Sequence, residues 1–473
     1  MKKFFLIFTL FFNCLAFAQE QTINYEELNK TALNHLINLI NIDTAQPNPN
    51  EVLAQRYIYK NLINNKINWQ IHRMEKPRAN LIATLKANTK TPLEPLILIS
   101  HLDTAAIADN WQTPPTQALI KDGKIYGLGA TDAKNYAAIN LAILTWLKQN
   151  NIALNRDIIF LFTADEEASS EKGLKYLFDK YPEQLKAAYA LNEGGGLIKD
   201  EEGKDIFFVE GASKMYMDIL ISALGQEGHS ATTSNEENAI YKLSQALQVI
   251  ENHEQEPYIN DWTKNFFKQI YPLQDDDAKT TIDMLLGEDK RLSAQAAKII
   301  MEDDFLKTQL VNTITPSILT GGSEANSVEA KASAVLNCRL LPWISPDKFF
   351  EEINNLFKED EDIVLSIIEK PELPFPAPQA SQDALFKSIK KSVEKVFPNA
   401  LTLQAMSPAS SESEILRRHG IKTYGIGPLI NSGEGGPHQS NENISLEDFY
   451  QQLKLTLAIV LDFAAQNEPT KQK

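Results

Sequence analysis

The sequence predicts an α/β protein in which a mostly parallel, helix-covered sheet is built from two segments of chain and interrupted by an inserted α/β domain. Three observations predict it. Short apolar runs alternate with helical patterns through the N-terminal portion, the character of the chain changes near Ala212, and helix and strand patterns resume after the proline-rich stretch PELPFPAPQA. A length of 473 residues suits two or three domains. The boundaries expected are a leader over 1–18, a main domain over 19–212 and 373–473, and an insertion over 213–372.

The chain opens with Lys2 and Lys3, an apolar run from Phe4 to Phe17, and Ala16-Phe17-Ala18 before Gln19. That order is the order of a secretory signal peptide, and the run is short for a membrane span. Export to a periplasmic or secreted location is therefore expected, with no integral membrane segment in the mature chain. Lipoprotein processing at Cys14 is the weaker reading, because Phe12 and Asn13 stand where small residues are needed. Next come PLILIS (Pro95 to Ser100), DIIFLFT (Asp157 to Thr163) and AAYALN (Ala187 to Asn192), read as buried strands, with a helix from Tyr136 to Asn150 between the first two. In the insertion, MYMDILISALG reads as a strand ending at Gly225, and a long helical stretch runs from about Asn235 to Val311. KASAVLNCRLLP alternates as a half-buried strand, and IVLSIIEK (Ile363 to Lys370) is a candidate to pair with it.

Removing the leader takes away two lysines and no acid, so the formal net charge moves from -16 to -18. Such a surface disfavours nucleic acid or anionic membrane as a partner. The mature chain keeps one cysteine, Cys338, which excludes an internal disulfide; its place in the alternating strand makes it a buried core thiol.

Chemistry concentrates where strands end, which is where open α/β sheets place ligands. PLILIS runs into His101-Leu102-Asp103, DIIFLFTA into Asp165-Glu166-Glu167, and AAYALN into Glu193 and three glycines. Asp132 lies in YGLGATDAKN, a glycine-rich turn that opens a helix, and His438 lies in a glycine-rich loop after KTYGIG with Glu442 close behind. One acid after a strand means little. Imidazole and carboxylate at several junctions of one sheet suit zinc, cobalt or manganese, and two such ions need a bridging carboxylate and roughly five or six ligands. His101, Asp132, Glu193, His438 and one of the adjacent glutamates meet that need.

HLD, GLGATDAK, ADEE, LNEGG, GHSAT and PHQSNENI, in this order over nearly the whole mature chain, resemble the M20 family of co-catalytic zinc metallopeptidases. The resemblance implies a zinc-exopeptidase-like catalytic domain interrupted by a ferredoxin-like lid that also serves dimerisation. It implies that Asp132 bridges two divalent ions, zinc first and cobalt or manganese as alternatives, with His101 and Glu193 on one and Glu167 and His438 on the other. Glu166 would be the general base for a metal-activated water, and Asp103 would hold the far ring nitrogen of His101. In extended backbone adjacent glutamates point to opposite sides, which would let them divide ligand and base roles. The same resemblance implies that His229 reaches the substrate or oxyanion, in some relatives from a neighbouring subunit, and that Arg339 grips a substrate carboxylate with Asn326 as helper. It also implies a non-proline cis peptide between Asp132 and Ala133. The chain departs from the family pattern at Leu128, where arginine is usual, and at Ala133, where a second acid is common.

Other features are read as structural. Asp275 to Asp277 is a helix start, His35, His72 and His253 lack partners at metal spacing, and His419 ends a helix. Asp165 is a turn residue, Trp111 packs the rim of the site, and Glu412 is a candidate supporting acid. The function expected is an exported dinuclear amidohydrolase acting on small peptides or N-acyl amino acids, nearer the carboxypeptidase S and N-acyl amino acid hydrolase branch. The alternatives are a two-metal phosphoesterase and a non-catalytic binding protein on the same scaffold. The candidate base Glu166 and the net charge of -18 argue against the first, and the filled ligand positions against the second.

Overall fold

In a computed structural model the described residues are 23–74, 76–199, 203–371, 383–427 and 435–466. The leader, most of the proline-rich stretch and the extreme C-terminus lie outside them. Among the described residues the large sheet has nine strands, in the order Asn68–Arg73, Ala79–Leu85, Arg156–Thr163, Leu93–His101, Tyr189–Asn192, Lys422–Gly425, Asp205–Ser213 and Leu401–Ser407, with Gly196–Lys199 paired off Asp205–Ser213. Its centre is parallel: Leu93–His101 pairs in parallel with the strands on either side, and Tyr189–Asn192 with Lys422–Gly425. Antiparallel pairs toward both edges make the whole sheet mixed.

Continuous apolar runs form these strands because both faces are covered. Leu96, Leu98, Ile158, Phe160 and Phe162 point into a core built with the helices Tyr25–Ile40, Lys134–Gln149, Ala384–Val396 and Leu446–Ala464. Ile97, Ile99, Ile159 and Leu161 point the other way, against Leu174, Leu177, Ile415 and Leu416 of two shorter helices. The period of two along each strand divides its residues between the two cores.

The insertion holds a four-stranded antiparallel sheet in the order Thr313–Gly321, Lys331–Leu340, Met215–Leu224, Ile363–Glu369. With helices Ala239–Glu251 and Pro346–Asn355 the chain order is strand, helix, strand, strand, helix, strand, the ferredoxin-like pattern. Ala332, Ala334, Leu336, Cys338 and Leu340 are buried against those helices, as alternation predicts. Two readings are corrected. Ile363–Glu369 pairs with Met215–Leu224 and not with Lys331–Leu340, whose other edge is taken by Thr313–Gly321, a strand the sequence reading missed. The long helical stretch is broken into separate helices, of which Asp261–Ile270, Asp276–Leu286 and Lys290–Ile300 share a core with Ile206, Phe208, Leu403 and Ala405. They pack on the edge of the large sheet, where their amphipathic faces find apolar strand residues.

Asp275 caps its helix by accepting from Ala278 N–H at 2.8 Å, as a helix start should. The Asp132–Ala133 peptide is cis. Among the described residues no helix is long and apolar enough to cross a membrane.

Candidate metal centre

The junction residues converge. His101 ends its strand with its ring buried, and Nε2 lies 3.1 Å from Asp132 Oδ1 and 3.5 Å from Glu193 Oε2. His438 arrives from the distant loop with Nε2 at 3.3 Å from Asp132 Oδ2 and 3.0 Å from Glu167 Oε2. Asp132 thus turns one oxygen to each imidazole, with one glutamate beside each pair. Glu166 Oε2 stands farther back, 4.0 Å from His101 Nε2.

Each side chain is placed by a local device. The His101 ring is oriented by its other nitrogen, Nδ1, 2.9 Å from the Asp103 carbonyl. The Asp103 carboxylate is farther from that nitrogen, at 3.6 Å, which modifies the expectation that it would do the orienting. It is occupied elsewhere: Oδ1 accepts from Glu166 N–H and Oδ2 from Glu167 N–H, each at 3.1 Å, and Oδ2 also accepts from Gln46 Nε2 at 3.0 Å. Asp103 therefore fixes the backbone of both glutamates.

Those glutamates sit in a turn, not in extended backbone, so alternation does not separate their side chains. The turn starts at Asp165, whose φ of 67° is left-handed and whose carbonyl accepts from Ser170 N–H at 2.7 Å. Its carboxylate pairs with Arg78 at 2.8 Å, and Arg78 also holds the buried Glu51 at 2.7 Å. The Glu167 carboxylate is braced by Ala105 N–H, which donates to Oε1 at 2.9 Å.

Glu442 was legible only as an acid near His438, and the structure gives it a specific task. It is buried and accepts from the N–H groups of Gly129 at 2.8 Å, Thr131 at 2.7 Å and Asp132 at 3.1 Å, and from the Thr131 hydroxyl at 2.8 Å. It cradles the turn that presents Asp132. Burial pushes its pKa up to about 7 against the lowering effect of those donors. Glu442→Ala leaves several buried donors unpaired. It should weaken metal binding about 10–100-fold, the usual effect of losing a ligand's support, as read by competition with a chromophoric chelator.

Glu193 follows its strand into the glycines. Gly194 has φ 113°, and a Cβ there would lie 2.1 Å from Glu210 Oε2. That buried carboxylate pairs with the equally buried Arg417 at 2.9 Å, so the loop closes over an ion pair. At the rim, Ser440 Oγ donates to the Asp109 carbonyl at 2.6 Å and Gln112 N–H donates to Asn441 Oδ1 at 2.7 Å, tying the Trp111 loop to the His438 loop.

Without cations the cluster is over-supplied with negative charge. Burial, and then the charges of Glu193, Asp132 and Glu167 acting against that of His101, raise the Glu166 pKa well above the carboxylate range. Hydrogen bonds to Asp132 and Glu167 raise that of His438 to about 11. Glu412, buried and donated to by the Thr163 hydroxyl at 2.7 Å, is raised to about 8 by burial. His101, Asp132 and Glu167 have ligand atoms within 4.8 Å of one another, and so do His101, Glu166 and Glu193. Two imidazole nitrogens facing four carboxylates is the donor chemistry of divalent transition-metal ions, and the residues present fit them.

The remaining candidates lie in the lid. His229 and Asn326 come together there, on the short ladder of Gly228–His229 with Ser327–Val328, where Ser230 N–H donates to the Asn326 carbonyl at 3.0 Å. Both are exposed, and among the described residues the bonds of this ladder, His229 Nδ1 accepting from Ala231 N–H at 3.2 Å among them, stay within the lid. Arg339 is half-buried and donates through Nη1 to Ser410 Oγ at 3.2 Å, across to the C-terminal segment of the main domain.

The family model for Peptidase family M20/M25/M40 matches residues 97–462, which span the ligand cluster and the lid. The chain belongs to this family. It is an M20-type, metal-dependent hydrolase of the peptidase and amidohydrolase kind. The M20 chain is 25% identical over 388 residues to the N-fatty-acyl-amino acid synthase/hydrolase PM20D1 of Mus musculus, covering 80% of this chain and 76% of that one. It is 29% identical over 332 residues to a probable succinyl-diaminopimelate desuccinylase of Staphylococcus aureus, covering 69% and 72%. Among solved structures it resembles the M20 metallo-carboxypeptidase Sso-CP2 of Sulfolobus solfataricus, with a TM-score of 0.67, 18% identity and coverage of 91% and 98%.

Proposed function

We propose that this M20 hydrolase is an exported dinuclear amidohydrolase that cleaves the amide bond of small peptides or N-acyl amino acids. The observation that carries the reading is the position of Asp132, one oxygen toward His101 and the other toward His438, with Glu193 and Glu167 flanking them and Glu166 a little farther back, 4.0 Å from His101. His101, Glu193 and Asp132 would hold one ion, and Glu167, His438 and Asp132 the other, zinc being the first choice. Such ions supply Lewis acidity, polarising a carbonyl and making a water more acidic. Glu166 accepts a proton as the water oxygen attacks the amide carbon, then delivers it to the nitrogen as the C–N bond breaks. Asp103 keeps the Glu166 backbone fixed throughout.

His229 would donate to the oxyanion. Arg339, with Asn326, would hold the substrate carboxylate; the absence of any acid paired with its guanidinium among the described residues supports this. The likeness to an N-fatty-acyl-amino acid hydrolase and to a desuccinylase supports an amide between an acyl group and an amino-acid nitrogen. A homodimer through the lid is part of the proposal. Its edge strand Thr313–Gly321 exposes Ile318 at 59% and Leu319 at 69%.

Product analysis on dipeptides and N-acyl amino acids, each with zinc, cobalt and manganese and set beside a phosphoester panel, tests the reading. Release of free amino acid is expected. Turnover of phosphoesters alone would overturn it.

A further inference from the structure

The face of the lid sheet turned away from its helices carries Arg339, which among the described residues has no acid in direct contact, although the charges of Asp218 and Glu414 act on it from farther off. Arg339 Nε donates to Asn337 Oδ1 at 3.1 Å, Nη1 donates to Ser410 Oγ at 3.2 Å, and the guanidinium lies 4.8 Å from the centroid of the Tyr216 ring. Among the described residues every one of these partners is neutral. A half-buried cation is costly to leave unpaired, so the arrangement needs a reason.

An acid is close at hand. In the antiparallel register Tyr216 faces Arg339 and Asp218 faces Asn337, which puts Asp218 diagonal to Arg339 on the same face. Diagonal neighbours are within reach of long side chains. Asp218 is nevertheless tied up by neutral donors: Oδ2 accepts from the Tyr216 hydroxyl at 2.5 Å and Oδ1 from Asn337 Nδ2 at 3.0 Å. Asn337 therefore stands between acid and base, donating to one and accepting from the other. An amide can do both at once, and its orientation follows from that network. Guanidinium has five N–H donors, and two are used here.

Ser410 precedes Ser411, which caps the helix Glu412–Arg418, and Asn192 donates its side-chain amide to Ser413 Oγ in the first turn of that helix at 3.0 Å. Asn192 immediately precedes Glu193. Arg339 is thus tied to Ser410, three residues before the Ser413 that holds the neighbour of Glu193 in its own chain.

We propose that Asn337 is a specificity-determining spacer, which holds Asp218 off Arg339 and so leaves the guanidinium to the carboxylate of an incoming N-acyl amino acid or peptide. The inference rests on the reading of Arg339 given above. Asn337 acts through Arg339 as a positioning residue and has no contact of its own with the substrate.

The test uses N-acetyl-leucine and N-acetyl-leucinamide as ligands of the full chain carrying Glu166→Gln, with dissociation constants from calorimetry and melting temperatures alongside. The parent should prefer the acid about tenfold, the order of a charge-assisted grip. Asn337→Asp should erase that preference, because the new carboxylate pairs with Arg339 internally. Asp218→Asn should keep or sharpen it, since the amide introduced there would still accept a hydrogen bond through its oxygen while the competing charge is gone. A purely structural role would make both variants fall together. Full preference in folded Asn337→Asp, or its loss in Asp218→Asn, overturns the spacer. If Asn337→Asp does not fold, Asp218→Asn decides alone. A parent without preference, or an Arg339→Ala variant that retains it, removes the Arg339 reading and the spacer with it, while amino-acid release on the substrate panel still judges the hydrolase reading separately.

Discussion

Glu166→Gln is expected to retain the bound metal and to lower kcat roughly 10²–10⁴-fold, the range that a positioned general base contributes. The geometry explains why metal and turnover should separate. Each imidazole already has Asp132 and one glutamate within 3.5 Å, whereas Glu166 Oε2 is 4.0 Å from His101 Nε2. Glutamine keeps the shape of the side chain and the main-chain bond from Glu166 N–H to Asp103, but it cannot take a proton. The measurement is kcat on the best substrate of the panel, together with metal content by elemental analysis on the same preparation. Metal lost in parallel with activity would make Glu166 a ligand, and kcat within a few-fold of wild type would leave the mechanism without its base.

How much of this was legible in the sequence varied with distance along the chain. Strand-end chemistry is local: an apolar run followed by His101, Asp165-Glu166-Glu167 or Glu193 places a ligand-type residue at a sheet edge without any knowledge of neighbours. The meeting of His438 with Asp132 and Glu167 is not local, and only the ordered set of motifs pointed to it. Where packing chose the partner, the pattern was silent. Thr313–Gly321 is largely exposed at an edge and shows no alternation, so it escaped notice. The helices between Asp261 and Ile300 announced an apolar face but not that Phe208 and Leu403 would cover it. Ile363–Glu369 had two possible antiparallel neighbours and nothing in its residues to choose between them. Asp103 was found for its proximity to His101, but its work on the Glu166 and Glu167 amides depends on a turn that brings residues more than sixty apart together.

Asp132→Ala should have the widest effect of any single ligand change, because both halves of the cluster turn on it. Losing the outer support of a ligand costs about 10–100-fold in affinity, so losing a shared ligand should cost more than about 100-fold at both ions. His438→Ala offers the contrast. Among the described residues His438 faces the carboxylates of Asp132 and Glu167, so its loss should empty one position and leave the ion beside His101 and Glu193. Equilibrium dialysis against zinc counts the ions in each variant. A second readout needs no substrate: a ligand that binds only the folded chain stabilises it by about 2.7 kcal/mol at a hundred times its dissociation constant. Chelator-treated wild type should therefore melt higher when zinc is restored, His438→Ala should recover part of that gain, and Asp132→Ala essentially none. Equal losses in the two variants would mean that Asp132 serves a single ion. The assignment of His101 and His438 to separate ions would then have to be abandoned, even though their nitrogens face different oxygens of the same carboxylate.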